Sequence, residues 1–283
     1  MDPKLQILYG LKCNPFRPDV PNEALYRKPA VEAFIRRAQS CISEGGFLMI
    51  TGEPGTGKSV VLRLLFEHLS RMPELLVGML EHPQSRTTDF YRELGEVFGV
   101  KLNCHNLYGS FKTLRVRWNE HITQTYRRPV LLIDEAQESP TQVLSELRIL
   151  ASKELDCKQL LCVIFAGDQR LPDRLRHPEL LPLASRLRRR LVLDYASREE
   201  LHACLDHLLN AAGNPMLLTP ELKHTLVEHA AGNYRVLMNL GDELLSVACE
   251  REQSQLDEKL FLETFAQPQR PTPMGKAGPG RKR

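Results

Sequence analysis

The stretch Gly52-Glu53-Pro54-Gly55-Thr56-Gly57-Lys58-Ser59 decides the fold. Its Gly-x4-Gly-Lys-Ser spacing is that of a phosphate-binding loop. The apolar β-type run Phe47-Leu48-Met49-Ile50 precedes it. The run from Val60 to Leu69 follows it and predicts a buried helix by composition and length. Strand, glycine loop and helix form the context the motif requires. The glycines let consecutive backbone N–H groups turn toward one anion, and the helix N-terminus adds partial positive charge. Gly52 to Ser59, with Val60, would hold a nucleoside triphosphate, Lys58 reaching the β- and γ-phosphates and the Ser59 hydroxyl binding Mg²⁺.

Working outward, the next informative stretch is Val130-Leu131-Leu132-Ile133-Asp134-Glu135. Four apolar residues followed by two carboxylates predict a buried strand that delivers acids at its C-terminal edge, where a parallel sheet places its ligand. Asp134 would complete the Mg²⁺ shell, and Glu135 would orient the attacking water and take its proton. Hydrolysis also needs positive charge on the γ-phosphate. Two candidates supply it. Arg235, in Gly232-Asn233-Tyr234-Arg235, opens a helix that can fold over the nucleotide. The cluster Arg186-Leu187-Arg188-Arg189-Arg190 precedes a short strand at Leu191-Val192-Leu193, where one subunit can present Arg186 to its neighbour. Arg186 is the favoured finger.

Other strands are expected at 75–80 and 160–166. Helices are expected at 29–45, 88–98 and 110–125, and after Ser139-Pro140 as a cap. A Pro- and Leu-rich connector reads as irregular. From Ser197 the texture turns all-helical, with a Ser197/Glu200 capping box and helices at about 198–212, 220–231, 234–252 and from Asp257 to Phe265. The expected organisation is an N-terminal extension over residues 1–28, an ATPase core over 29–195 and a helical lid over 196–266. A disordered basic tail occupies 267–283, and the extension is expected to be neither strand nor helix.

Composition narrows the alternatives. The chain is 42% hydrophobic and 26% charged, with net charge +3, which is ordinary for a globular protein. The tail holds Arg270, Lys276, Arg281, Lys282 and Arg283 without a carboxylate, so the rest of the chain is slightly acidic. Any DNA contact must therefore come from a local patch or from the tail. No apolar run is long enough to span a bilayer and Met1-Asp2-Pro3-Lys4 is no secretory signal, which points to the cytoplasm. The seven cysteines are scattered without a Cys-x-x-Cys pair and read as reduced thiols.

Phosphate loop, Asp-Glu strand end, Ser-Arg before a fifth strand and Gly-Asn-x-Arg in a helical lid together resemble an AAA+ ATPase. The opening Tyr9-Gly10-Leu11-x-x-Asn14-Pro15-Phe16, with Gly45-Gly46-Phe47 before the first strand, resembles the ExeA-like group. That group includes the transposition ATPases TniB and TnsC and is distantly similar to IstB and MuB. The likeness runs over about residues 5–265. It implies an α/β P-loop fold with a five-stranded parallel sheet and a small all-helical C-terminal lid. It also implies slow ATP hydrolysis stimulated by DNA or a partner, with ATP and Mg²⁺ between subunits. Asn14, Phe16 and Tyr26 would then lie near the adenine, and Arg235 would be sensor 2. Asp168 would stand near sensor 1, where an acid is tolerable only if it holds water or an arginine; Gln169 is the alternative. Glu81 or His82 would restrain Glu135.

Transposition ATPases form rings or helical filaments on duplex DNA and mark insertion sites for the transposase of the same element. The segment that contacts DNA corresponds here to Arg86, Lys101, Asn103, His105, Lys112, Thr113, Arg115 and Arg117. The alternatives are an ExeA-type ATPase for secretion or envelope assembly, a non-catalytic ATP switch, and a helicase-loader-like ATPase that prefers single strands.

Overall fold

The computed structural model describes residues 3–103, 105–154 and 157–265; the expected basic tail lies outside them. Five strands form one parallel sheet: β1 (Gly46–Gly52), β2 (Val77–Leu80), β3 (Val130–Ile133), β4 (Cys162–Gly167) and β5 (Leu187–Leu193). Their spatial order is β2-β3-β4-β1-β5. All residues of β1, β3 and β4 are buried, as expected for strands covered on both faces.

The strand period of two sorts these side chains between two cores. Phe47, Met49, Leu131, Ile133, Val163 and Phe165 point to one face, packed by α4 (Thr87–Val97), α5 (Leu107–Thr125) and α6 (Thr141–Ala151). Leu48, Ile50, Val130, Leu132, Ile164 and Ala166 point to the other, packed by α2 (Pro29–Glu44) and α3 (Lys58–Ser70). A third core joins α1 (Pro3–Tyr9) to α9 (Arg198–Ala212), α10 (Pro220–Ala230), α11 (Tyr234–Glu250) and α12 (Glu258–Phe265). The Ser197/Glu200 capping box is formed, Thr219 caps α10, and Asp257 accepts from Leu260 N–H at the start of α12.

Several local expectations are corrected. Residues 3–9 are helical, and Asn22–Ala24 form a 3₁₀ turn. A seven-residue helix is marginal alone; α1 persists because Tyr9 and Leu11 are buried against the C-terminal helices and Lys12 N–H donates to Ala212 O at 2.8 Å. The connector is partly helical, as α7 (Arg170–Leu175) and α8 (Leu181–Ala184), with Leu171, Leu175, Leu180 and Leu183 buried. Ser139 does not cap α6, whose N-cap is Pro140 with no side-chain bond. A short hairpin pairs Ser152–Lys153 with Lys158–Gln159. β2 begins at Val77, and β5 begins at Leu187, so Arg188, Arg189 and Arg190 lie inside the strand. β5 is a sheet edge, where exposed cations discourage pairing with another chain. A bulge at Arg188 lets it pair with Glu44.

Candidate nucleotide site

The C-terminal ends of β1, β3 and β4 bring the functional residues together. Thr51 is level with Gly167, and Ile133 with Phe165, so Gly52, Asp134 and Asp168 open on one rim of the sheet. After Gly52 the loop turns through Gly55 (φ 86°) and Gly57 (φ 100°), left-handed conformations that favour glycine. Gly57 is also the N-cap of α3. Thr56 Oγ1 donates to Glu53 O at 2.8 Å, closing the turn. The buried Lys58 ammonium donates to Gly52 O at 2.9 Å and Glu53 O at 3.3 Å, while Ser59 and Val60 are exposed at the mouth.

Asp134 is half-buried and Glu135 exposed. Glu135 has a left-handed backbone (φ 47°, ψ 40°), at a cost of about 1–2 kcal/mol for a non-glycine residue. Two features hold it there: its N–H donates to Asp134 Oδ1 at 2.9 Å, and its carbonyl accepts from Glu138 N–H at 2.8 Å. Gln137 Nε2 donates to Glu135 Oε2. Gln137 Oε1 accepts from the Asp168 N–H at 3.2 Å.

Asp168 resolves the difficulty its charge posed, because it holds an arginine. Arg170 Nε donates to both carboxylate oxygens, at 3.2 and 2.9 Å, and Arg170 N–H donates to Oδ1 at 2.9 Å. The same guanidinium pairs with Glu138 at 2.7 Å. Partial burial opposes ionisation of Asp168, yet the bonds from Arg170 and the nearby charges of Arg170 and Lys58 hold its carboxyl below the usual range. Arg174 donates to Gln137 O and to Ser139 O, pinning the 3₁₀ turn Ala136–Glu138. The backbone N–H groups of Glu81 and His82 donate to the Glu93 carboxylate, and the side chain bonded to Glu135 is that of Gln137.

The C-terminal helices reach the loop directly. Tyr234 N–H donates to Gly55 O at 3.0 Å, and Asn233 Nδ2 donates to Pro54 O at 3.0 Å. Asn233 Oδ1 meanwhile caps α11, accepting from the N–H groups of Arg235 and Val236 at 3.0 and 3.2 Å. Arg235 is therefore exposed on the first turn of α11, beside the phosphate loop. About two turns further along α11, Asn14 Nδ2 donates to Asp242 at 2.6 Å and the buried Phe16 ring lies on Gly241. Tyr26 is half-buried, its ring 5.9 Å from His207.

Arg186 stands apart from all of these. Leu187 is level with Phe47, at the opposite end of β1 from Gly52, and at about 3.3 Å per residue the separation is about 16 Å. An arginine there does not reach the phosphate loop of its own subunit.

Of the residues matched to a DNA-contacting segment, Arg86, Lys101, Asn103, His105, Lys112 and Thr113 are exposed. Lys112 lies over the exposed Tyr108 ring at 4.7 Å. Arg115 instead ties α5 to α6, donating to Ile149 O at 3.2 Å and stacking on Phe111. Arg86 is the N-cap residue of α4. Sequence reading missed Gln137, Arg170 and Arg174, which carried no local signal, and quoted Asn233 within Gly-Asn-x-Arg without a role, although it is a capping residue type before a helix.

The donor set fits the groups the motifs imply: glycine amides and a lysine for phosphate, a hydroxyl and a carboxylate for an oxygen-loving divalent cation. Fold and site together define a P-loop fold of the AAA+ class. Residues 39–175 match the family model for an AAA domain. The chain is 31% identical over 211 residues to General secretion pathway protein A of Aeromonas hydrophila, a match covering 73% of this chain but 38% of that protein. It is similar in structure to the ORC2 protein of Aeropyrum pernix in its ADP form (TM-score 0.71, 13% identity, covering 90% of this chain and 73% of that one). It is also similar to the ORC1 protein of Aeropyrum pernix in complex with DNA (TM-score 0.66, 18% identity, covering 89% and 68%). At these identities the structural likeness speaks to fold alone. Among the described residues no helix is long and apolar enough to cross a membrane.

Proposed function

We propose that the chain is an ATP-hydrolysing switch that assembles with copies of itself on duplex DNA and there regulates transposition, selecting targets and recruiting the transposase. The observation that carries the assembly is the place of Arg186: about 16 Å from its own phosphate loop, at the far end of an edge strand. It serves as a finger only in the site of a neighbour. In that reading Lys58 binds the β- and γ-phosphates, and Ser59 and Asp134 hold Mg²⁺, which would offset the charge developing on the phosphates. Glu135 orients water and takes its proton, Arg235 closes the site from the lid, and Arg186 completes it from the next copy. The lid is bonded to the phosphate loop through Asn233 and Tyr234, so nucleotide state and subunit shape are coupled. Lys101, Lys112 and Thr113 give an exposed, partly basic strip that an oligomer repeats along a duplex, with salt-sensitive and sequence-tolerant contacts.

A second reading, a role in secretion or envelope assembly, is favoured by the similarity to General secretion pathway protein A. One experiment separates them: electron microscopy of the protein with duplex DNA and ATP or a non-hydrolysable analogue. Nucleotide-dependent rings or filaments on duplex support the first reading. A protein that stays monomeric on DNA, with turnover indifferent to DNA, overturns it in favour of the second. For the finger, Arg186→Ala and Lys58→Ala should each abolish turnover alone. Mixing them should restore part of it, because a Lys58→Ala subunit lends its Arg186 to an intact neighbouring loop.

A further inference from the structure

We infer that Gln137 is the positioning residue that aims Glu135 at the attacking water, by locking its carboxylate to the end of β4. The inference rests on Glu135 being the group that takes the water's proton. Glu135 is exposed and would otherwise sample several rotamers. Gln137 is buried, 4% exposed, on a turn that Arg174 pins through two carbonyls.

The orientation of its amide is forced. The Asp168 backbone N–H donates only, so it must face Gln137 Oε1, as it does at 3.2 Å. The Nε2 end is then left to donate to Glu135 Oε2. The packing leaves no room for slack, because a Cβ on Gly167 would stand 2.6 Å from Gln137 Oε1. One amide thus spans the ends of β3 and β4, where Asp134 and Asp168 emerge. A hydrogen bond to the carboxylate oxygen facing Gln137 leaves the other oxygen to meet water, a fixed geometry of the kind that supplies rate through orientation.

The test compares Gln137→Ala, Gln137→Glu, Glu135→Gln and the double variant Gln137→Ala/Glu135→Gln, with steady-state turnover and nucleotide affinity measured separately. Gln137→Ala should lower kcat about 10- to 100-fold and leave nucleotide affinity within about twofold. Added to Glu135→Gln it should cost nothing more, since residues acting through one group are not additive. Gln137→Glu keeps the length of the side chain but replaces the amide donor with a second acceptor oxygen, so its kcat should fall as in Gln137→Ala while nucleotide affinity stays within about twofold. A void cannot account for that loss, because the volume is kept.

Wild-type kcat in a folded Gln137→Ala, or a full additive loss in the double variant, overturns the inference while leaving Glu135 in place. Should Gln137→Ala fail to fold, Gln137→Glu decides, and wild-type kcat in that folded variant overturns it. Wild-type turnover in Glu135→Gln overturns instead the reading of Glu135 on which this one rests.

Discussion

The two halves of the candidate nucleotide site are built by opposite means. The phosphate loop is shaped by main chain: left-handed turns at Gly55 and Gly57, a lysine folded onto the carbonyls of Gly52 and Glu53, and carbonyls of Pro54 and Gly55 bonded to the C-terminal helices. The shelf at the ends of β3 and β4 is shaped by side chains. There Asp134, Gln137, Glu138 and Asp168 are held in one network by Arg170 and Arg174. A main-chain device tolerates almost no change at its glycines and is indifferent to pH. A side-chain network loses strength one partner at a time and answers to protonation.

The largest break in that comparison should come from Gly55→Ala. The new methyl would run into Asn233 Oδ1, and its φ of 86° is strained for alanine. The strain costs about 1–2 kcal/mol, and the hydrogen bonds of a displaced lid add about 0.5–1.5 kcal/mol each. Together these should remove about 3 kcal/mol, lowering the thermal midpoint by several degrees. An unchanged melting curve would mean that the loop and lid are not fastened as described.

Asn233→Ala comes next, at about 1–2 kcal/mol, since it removes a helix cap and a tie to Pro54 O together. Asn233→Asp separates the two roles. It keeps an acceptor for the cap but has no donor for Pro54 O, so its denaturation midpoint should fall between the wild type and alanine. If aspartate matches asparagine, the tie to the loop contributes nothing.

What the sequence made legible follows the same division. The loop from Gly52 to Ser59 and the Asp134-Glu135 strand end were readable because a left-handed turn demands glycine and a buried strand demands an apolar run. Five strands and a helical C-terminal region followed from the same patterns, and the parallel arrangement of the strands from the resemblance to AAA+ ATPases. The shelf was not legible. Arg170 and Arg174 belong to a connector whose short helices depend on buried leucines rather than on local propensity. Gln137 sits two residues from Glu135 and in sequence resembles any polar residue of a turn. Its role arises only when β4 brings the Asp168 amide beside it. The arginines of 188–190 were placed before the strand rather than in it because their charge masks an edge strand, whose outward positions accept cations. Asp168 was legible as a problem, an acid where phosphate is expected, and the structure supplied its partner.

Asp168→Asn is the smallest expected effect and the one that distinguishes the halves most cleanly. The folded Asp168 carboxyl titrates below its ordinary value, so its contribution is fully present above the unfolded pKa of about 3.9. That contribution is lost as pH falls through the lower, folded value. Arg170 is largely exposed, so water and salt screen the pair and the effect at neutral pH should be at most about 1 kcal/mol. Denaturation of wild type and variant from about pH 7 down to about pH 3 should give a stability difference that is level above about pH 5 and shrinks toward zero below it. The Gly55→Ala difference should stay level over the same range, because no titrating group takes part in it. A flat Asp168→Asn difference would show that Arg170 gives the carboxylate no net preference in the folded state. The shelf would then owe its order to Gln137, Arg174 and the Arg170–Glu138 pair.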